Sequence, residues 1–313
     1  MKKIFSLVII AVLTVLTVNA QERKIKFNKG TLKICSTKSF TIEGYDGNEV
    51  IVKSLHEKAN QISQIRFSTS AKNKPNVGKV FHTQKGLVKF DSVFVTGQKS
   101  VYFARTDQGK KEGLRKLGKN NENKDLGIYF TIEQNDGELI FKDDNSGQFV
   151  MLSNERYLIK IPNSIKLNWD TSNCKKTPSS HAIFYTNKAS SLSNFEGELE
   201  LTTSLNNFEL TDVTGPVSIN SIGGNVTVFF DKKLPLKLYS IYTNNGFIDI
   251  SMPSNSDVHI EASGSAIYSD LAFNMISEKE INNQQKMELK LKRGKTKMML
   301  EAGYGTIYLR KKK

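Results

Sequence analysis

In the second half of the chain, apolar residues come in pairs flanking one polar or small residue, and the pairs recur every nine positions. Leu199 and Leu201 are followed by Phe208 and Leu210, then Val217 and Ile219, then Val226 and Val228. The central residues are Glu200, Glu209, Ser218 and Thr227. Such alternation predicts short strands with one buried face, Val217, Ile219, Val226 and Val228 pointing in and Ser218 out. Asn206-Asn207, Thr214-Gly215 and Gly223-Gly224 mark the bends between them. Nine residues cannot hold a strand and a crossover helix, but they hold a strand and a tight bend. Two such units per round predict a parallel, β-helix-like β-solenoid whose inward side chains stack from round to round. An antiparallel β-sandwich uses similar spacing and is the alternative; the unchanged register over four strands favours the solenoid. Looser repeats follow at Phe247–Ile250, Val258–Ile260, Ala266–Tyr268 and Thr306–Leu309.

The rest of the chain also reads as strands. Leu32–Ile34 and Phe40–Ile42 precede a turn at Gly44–Asn48 and a β-branched strand at Glu49–Val52. Ile128–Glu133 and Glu138–Lys142 flank Asn135-Asp136-Gly137, a strong hairpin signal. Tyr157–Ile161 is a strand stopped by Pro162, and Ser164–Trp169 sets Ile165, Leu167 and Trp169 on one face. No long segment keeps a helical period. The nearest, Ser277–Leu291, alternates strictly in its second half and is read there as a strand. The fold class is therefore all-β.

Residues 1–20, MKKIFSLVIIAVLTVLTVNA, have the basic start, apolar centre and small-residue end of a secretory signal peptide. The apolar centre is short for a membrane span. No cysteine follows it to carry a lipid, and no later segment is apolar enough to cross a bilayer. The expected organisation is a signal peptide, then an N-terminal β region at 21–156, then the repeat region at 157–313, continuous with it. The N-terminal region carries a basic, irregular insertion at about 60–125. Export places the protein in the periplasm, at the cell surface or outside the cell.

The formal charge of +14 falls by two when Lys2 and Lys3 leave with the leader. A basic exported chain favours an anionic glycan, a lipid head group or an envelope protein as partner. Nucleic acid is not expected outside the cell. Two cysteines, Cys35 and Cys174, leave two readings open: a disulfide, which an oxidising compartment permits, or two separate buried thiols.

Four segments carry a resemblance. They are FTIEGYDGNEVIVKS (40–54), EGLRKLG with DLGIYFTIEQNDGELIF (112–141), YLIKIPNSIKLN (157–168), and the series FELTDVTGPVSINSIGGNVTVFF, TNNGFIDISMP and AGYGTIYLR (208–310). In that order they resemble the bacterial putative-adhesin family of exported β-solenoid domains of unknown function. Residues 60–105 depart from the family pattern. The resemblance implies a parallel β-solenoid and a cell-envelope location, and it implies no catalytic residue.

Patterns that would carry chemistry are weak. His56, His82, His181 and His259 are scattered, with no pair at ligand spacing. Gly294-Lys295-Thr296 imitates the end of a phosphate loop, but Leu289 stands where the earlier glycine belongs. Asp143-Asp144-Asn145-Ser146-Gly147 lacks the glycine spacing and the distal glutamate of a calcium loop. Glu196, Glu198 and Glu200 alternate, which fits a solvated strand face better than a glycosidase pair. Lys110, Lys111, Arg115, Lys116 and Lys119 form a basic loop that would meet an anionic ligand or simply stay solvated. No catalytic residue, metal site or cofactor is expected. The leading reading is a non-enzymatic envelope scaffold. The competing one is a polysaccharide lyase or hydrolase, since such enzymes also use β-helices.

Overall fold

The computed structural model describes residues 22–36, 38–55, 126–128, 130–143, 156–171 and 189–312, with the backbone of four short strands between 65 and 103. Among the described residues there is no helix. The strands are β1 (Glu22–Lys26), β2 (Thr31–Cys35), β3 (Phe40–Tyr45), β4 (Glu49–Ser54), β5 (Ile65–Ser68), β6 (His82–Thr83), β7 (Gly86–Leu87), β8 (Ser100–Phe103), β9 (Phe130–Asn135), β10 (Glu138–Asp143), β11 (Tyr157–Pro162) and β12 (Lys166–Asp170). They continue as β13 (Ser190–Ser193), β14 (Leu199–Ser204), β15 (Phe208–Thr211), β16 (Val217–Ile222), β17 (Val226–Phe229), β18 (Tyr239–Thr243), β19 (Ile248–Met252), β20 (Val258–Gly264), β21 (Ala266–Ser269), β22 (Asn274–Ile281), β23 (Gln284–Leu291), β24 (Thr296–Glu301) and β25 (Thr306–Lys311).

Two large mixed sheets enclose one core. The first runs β1-β4-β11-β3-β13-β15-β17-β19-β25-β21, the second β22-β23-β20-β24-β18-β16-β14-β12-β2-β10-β9. Antiparallel pairs close the sheets: β1 with β4 and β4 with β11, β9 with β10, and β23 with both β20 and β22. A solenoid running the length of the chain is therefore not what is observed. The layering is that of a sandwich, the alternative expectation, although most of its pairs are parallel.

The nine-residue register has a direct structural counterpart. From β14 to β19 the chain passes from one sheet to the other at each strand, and each of β14, β15, β16 and β17 pairs parallel with the strand two ahead. Leu199 lies beside Val217 and Phe208 beside Val226. The inward set Leu199, Leu201, Phe208, Leu210, Val217, Ile219, Val226 and Val228 is buried to within 2%, while Ser218 is exposed. Burying such side chains contributes roughly 1.5–3 kcal/mol each.

Glycine makes this stacking close enough. A Cβ on Gly215 would lie 1.9 Å from the Gly197 carbonyl oxygen. On Gly246 it would lie 1.9 Å from that of Gly224, and on Gly305 1.9 Å from that of Gly246. Asparagines bridge the same corners: the Asn207 carboxamide oxygen accepts from the Asn225 amide at 3.0 Å, and that of Asn225 accepts from the Phe247 amide at 3.0 Å.

Local expectations shift in three places. Gly44 and Tyr45 belong to β3, so the turn is Asp46–Asn48. Both halves of the 277–291 segment are strands, and β22 and β23 form a hairpin through Asn282 and Asn283, both at positive φ. Glu200 lies in β14, whereas Glu196 and Glu198 precede it. The leader, most of the 60–125 insertion and Lys110, Lys111, Arg115, Lys116 and Lys119 lie outside the described residues.

Candidate binding trough

Five strands of the second sheet, β18, β24, β20, β23 and β22, build an open trough of about 440 Å³ on its outward face. Parallel and antiparallel registers together align its side chains into two straight rows. One row runs Ser240, Met299, Glu261, Glu288, Ser277. The other runs Tyr242, Glu301, Ser263, Lys286, Lys279. At about 4.8 Å per strand the rows extend roughly 19 Å. Tyr242 and Met299 are 38% and 37% exposed, which places apolar surface on a face that is otherwise polar.

The charges within the trough differ in their partners. Lys297 Nζ is 2.7 Å from Glu261 Oε1, and His259 Nε2 is 2.8 Å from Glu288 Oε1. Glu301, Lys279 and Lys286 have no ion-pair partner among the described residues.

The first sheet carries a smaller aromatic cluster on its outward face. Tyr268 of β21 and Tyr308 of β25 are in-register neighbours, with ring centroids 5.8 Å apart and planes 16° apart. The Arg310 guanidinium lies 4.9 Å from the Tyr308 ring centre, and its Nε donates to both Asp249 carboxylate oxygens at 2.9 and 3.0 Å. That hydrogen bond to Asp249 is the main reason the Arg310 pKa is raised.

The buried titratable groups are occupied in holding the fold. Asp212, 2% exposed, accepts backbone N–H bonds from Asp231, Lys232 and Lys233 at 2.8–3.1 Å and so fixes the loop after Phe230. The Tyr239 hydroxyl donates to the Val213 carbonyl oxygen, and burial pushes its pKa well above the usual tyrosine range.

The residues singled out from sequence scatter. Lys166 Nζ lies 2.7 Å from Glu200 and 3.0 Å from Glu198, and Lys233 Nζ lies 2.7 Å from Glu196. The hydrogen bond to Glu200 above all raises the Lys166 pKa. These three glutamates are thus ion-paired surface groups. Asp143 accepts a 2.6 Å hydrogen bond from the Ser36 hydroxyl; the rest of the calcium-like segment lies outside the described residues. Gly294 has φ +72° and sits in the turn between β23 and β24, where Asp257 accepts from the Lys295 amide at 2.9 Å. His259 joins the trough wall through Glu288, while His56 and His181, and the side chain of His82, are outside the description. Cys35 is disulfide-bonded; Cys174 is outside the described residues. Among those residues there is no cluster of His, Cys, Asp and Glu able to hold a metal ion, and no helix long and apolar enough to cross a membrane.

The trough residues were not singled out from sequence. Outward Lys286 and Glu288 follow from the alternation read there. Their neighbours Glu261, Glu301 and Met299 come from strands paired over long range, which local periodicity does not reveal.

No family model matches the chain, and no curated protein matches it by sequence. Two solved structures are similar over nearly their full lengths. A putative cell adhesion protein from Clostridium sporogenes is 12% identical, with 93% of this chain and 99% of that one covered and a TM-score of 0.39. A putative adhesin from Bacteroides fragilis is 9% identical, with 92% and 95% covered and a TM-score of 0.32.

Proposed function

We propose that this is a non-enzymatic, exported cell-envelope protein of adhesin-like character that holds a glycan chain along the trough of its second sheet. The alternating parallel strands β14–β19 act in this reading as a short β-solenoid, a rigid support for the site. A Cys35–Cys174 disulfide would tie the N-terminal region at 21–156 to the repeat region.

One observation carries the glycan reading: two in-register rows lay hydroxyls, carboxylates, ammonium groups, a tyrosine ring and a thioether along roughly 19 Å of open surface. Sugar rings present apolar C–H faces and peripheral hydroxyls. Tyr242 and Met299 suit the first, and Ser240, Ser263, Ser277 and Glu301 suit the second.

A second reading, a polysaccharide-cleaving enzyme, has one specific observation in its favour. Glu261 and Glu288 are directly opposite across an antiparallel pair, an arrangement that could place two carboxylates about a glycosidic bond. Each, however, is already engaged, Glu261 by the Lys297 ammonium and Glu288 by the His259 ring.

A glycan array probed with the purified protein and with Tyr242→Ala/Met299→Ala tests the proposal. The expected result is retention of a defined set of glycans, loss of about tenfold or more in the double variant, and no cleavage. Turnover of a retained glycan, or equal retention by the variant, would overturn it.

A further inference from the structure

The hairpin end of the trough holds an unusual pair. Lys279 of β22 and Lys286 of β23 are directly opposite in the antiparallel register, and both line the trough. Like charges so placed repel, and such pairs destabilise a sheet. Of the neighbouring groups on this wall, Lys297 is paired with Glu261 and the His259 ring is hydrogen-bonded to Glu288, while Lys290, opposite His259, has no ion pair among the described residues. Glu278 and Glu280 flank Lys279 in sequence, so strand alternation turns them to the opposite face. Glu301 stands in the same row but two strands from Lys286, separated by Ser263. Two exposed lysines with no ion-pair partner among the described residues therefore stand side by side at one end of a polar trough, with Ser263 and Ser277 as neighbours.

We infer that Lys279 and Lys286 form a subsite for an anionic substituent, a carboxylate or sulfate, borne on the glycan chain in the trough. This deepens the proposed function and rests on it. An anion between the two ammonium groups would remove their repulsion and form two charge-assisted hydrogen bonds. Glu301, two strands away, would disfavour a second anionic substituent at its own position and accept hydrogen bonds from sugar hydroxyls there. The subsite thus expects a chain with spaced, not contiguous, negative groups.

Titration calorimetry with polygalacturonate, dextran sulfate and neutral dextran, on the wild-type protein, Lys279→Gln/Lys286→Gln and the basic-loop variant Lys110→Gln/Lys111→Gln, tests this. The wild-type protein should bind at least one polyanion about tenfold or more tightly than neutral dextran, and salt should weaken that preference. The hairpin variant should lose the preference, keep any binding of neutral dextran, and melt at a higher temperature because the repulsion is gone. Which polyanion is preferred separates carboxylate from sulfate. An unchanged preference in the hairpin variant, or a loss confined to the loop variant, would overturn the subsite and leave the trough standing. Tyr242→Ala serves to separate the two ideas: if it leaves every affinity unchanged, the trough itself is wrong and the subsite falls with it.

Discussion

The strands β14–β19 and the hairpin β22–β23 belong to one molecule but obey different rules. In the first region every strand has a parallel neighbour on both sides, and inward residues such as Val226 and Ile248 are fully buried. Outward positions are mostly polar, Ser218, Thr227 and Glu209 among them, with Ile222 and Phe229 also exposed. In the second, β22 is an edge strand with one neighbour, and Met275, Ile276 and Ile281 are 45–50% exposed. Charged residues crowd both strands. The first region gains from repetition, because each strand presents the next strand of its sheet with the same kind of inward surface. The trough arises where the hairpin leaves the repeat and turns antiparallel against β20. The scaffold lies in the regular part, and the side-by-side lysine pair lies where the regularity stops.

The sharpest way to break this comparison is to exchange the polarity of the first region. Val226→Asp or Val217→Asp would bury a carboxylate with no partner, and each should cost more than about 4 kcal/mol, enough to unfold much of the molecule. Ser218→Asp, one residue from Val217 but outward, should change stability by less than about 0.5 kcal/mol. Urea denaturation of the three variants decides it. Equal tolerance of all three would mean that inside and outside are not distinguished here.

Glycine substitutions probe the same region with a smaller effect. In Gly246→Ala the new methyl meets the Gly224 carbonyl oxygen at 1.9 Å, a contact between two main chains that no rotamer relieves. A loss of about 1–3 kcal/mol is expected. Gly223→Ala differs in kind. Its φ of +79° is strained for alanine, but the nearest atom is a Leu205 methyl at 3.0 Å that can move aside, so about 1–2 kcal/mol is expected. If Gly246→Ala proved the milder, backbone conformation and not close stacking would govern the corners.

These glycines also mark how far the sequence is legible. Gly215 and Gly223-Gly224 are legible as corners because they recur beside equivalent strands. The inward pairs from Leu199 to Val228 are visible because burial and period are both local. Strands with a thin apolar signal are not: Ser190–Ser193 has only Leu192, yet β13 sits between β3 and β15 in the first sheet. β24 is masked by the phosphate-loop look of Gly294-Lys295-Thr296, although Met298 and Leu300 alternate inward. The trough was the least visible feature. Lys286 and Glu288 are readable as outward residues, but their rows exist only because β18 pairs with β24, β24 with β20 and β20 with β23. Those registers join residues far apart in sequence.

The smallest expected effect lies at the join between hairpin and scaffold. Asp257 holds the turn after β23: its carboxylate accepts the Lys295 amide at 2.9 Å, and Arg293 Nε lies 3.6 Å away. Bonding from the Lys295 amide, more than any other contact, lowers the Asp257 pKa below its usual 3.8. A carboxylate whose folded-state pKa is depressed adds stability above its unfolded pKa, and that stability is lost as pH falls through the folded value. Near neutral pH the wild-type protein should therefore be slightly more stable than Asp257→Asn. The difference should shrink as the pH falls from about 4 toward 2 and vanish once the wild-type carboxyl is protonated. Because Asp257 is at the surface, the gap should also narrow in high salt. Melting curves from pH 7 to pH 2 check this directly. A difference that stays constant over the whole range would mean that the side chain holds the turn by shape and hydrogen bonding alone, and that its charge does not link the hairpin to the scaffold.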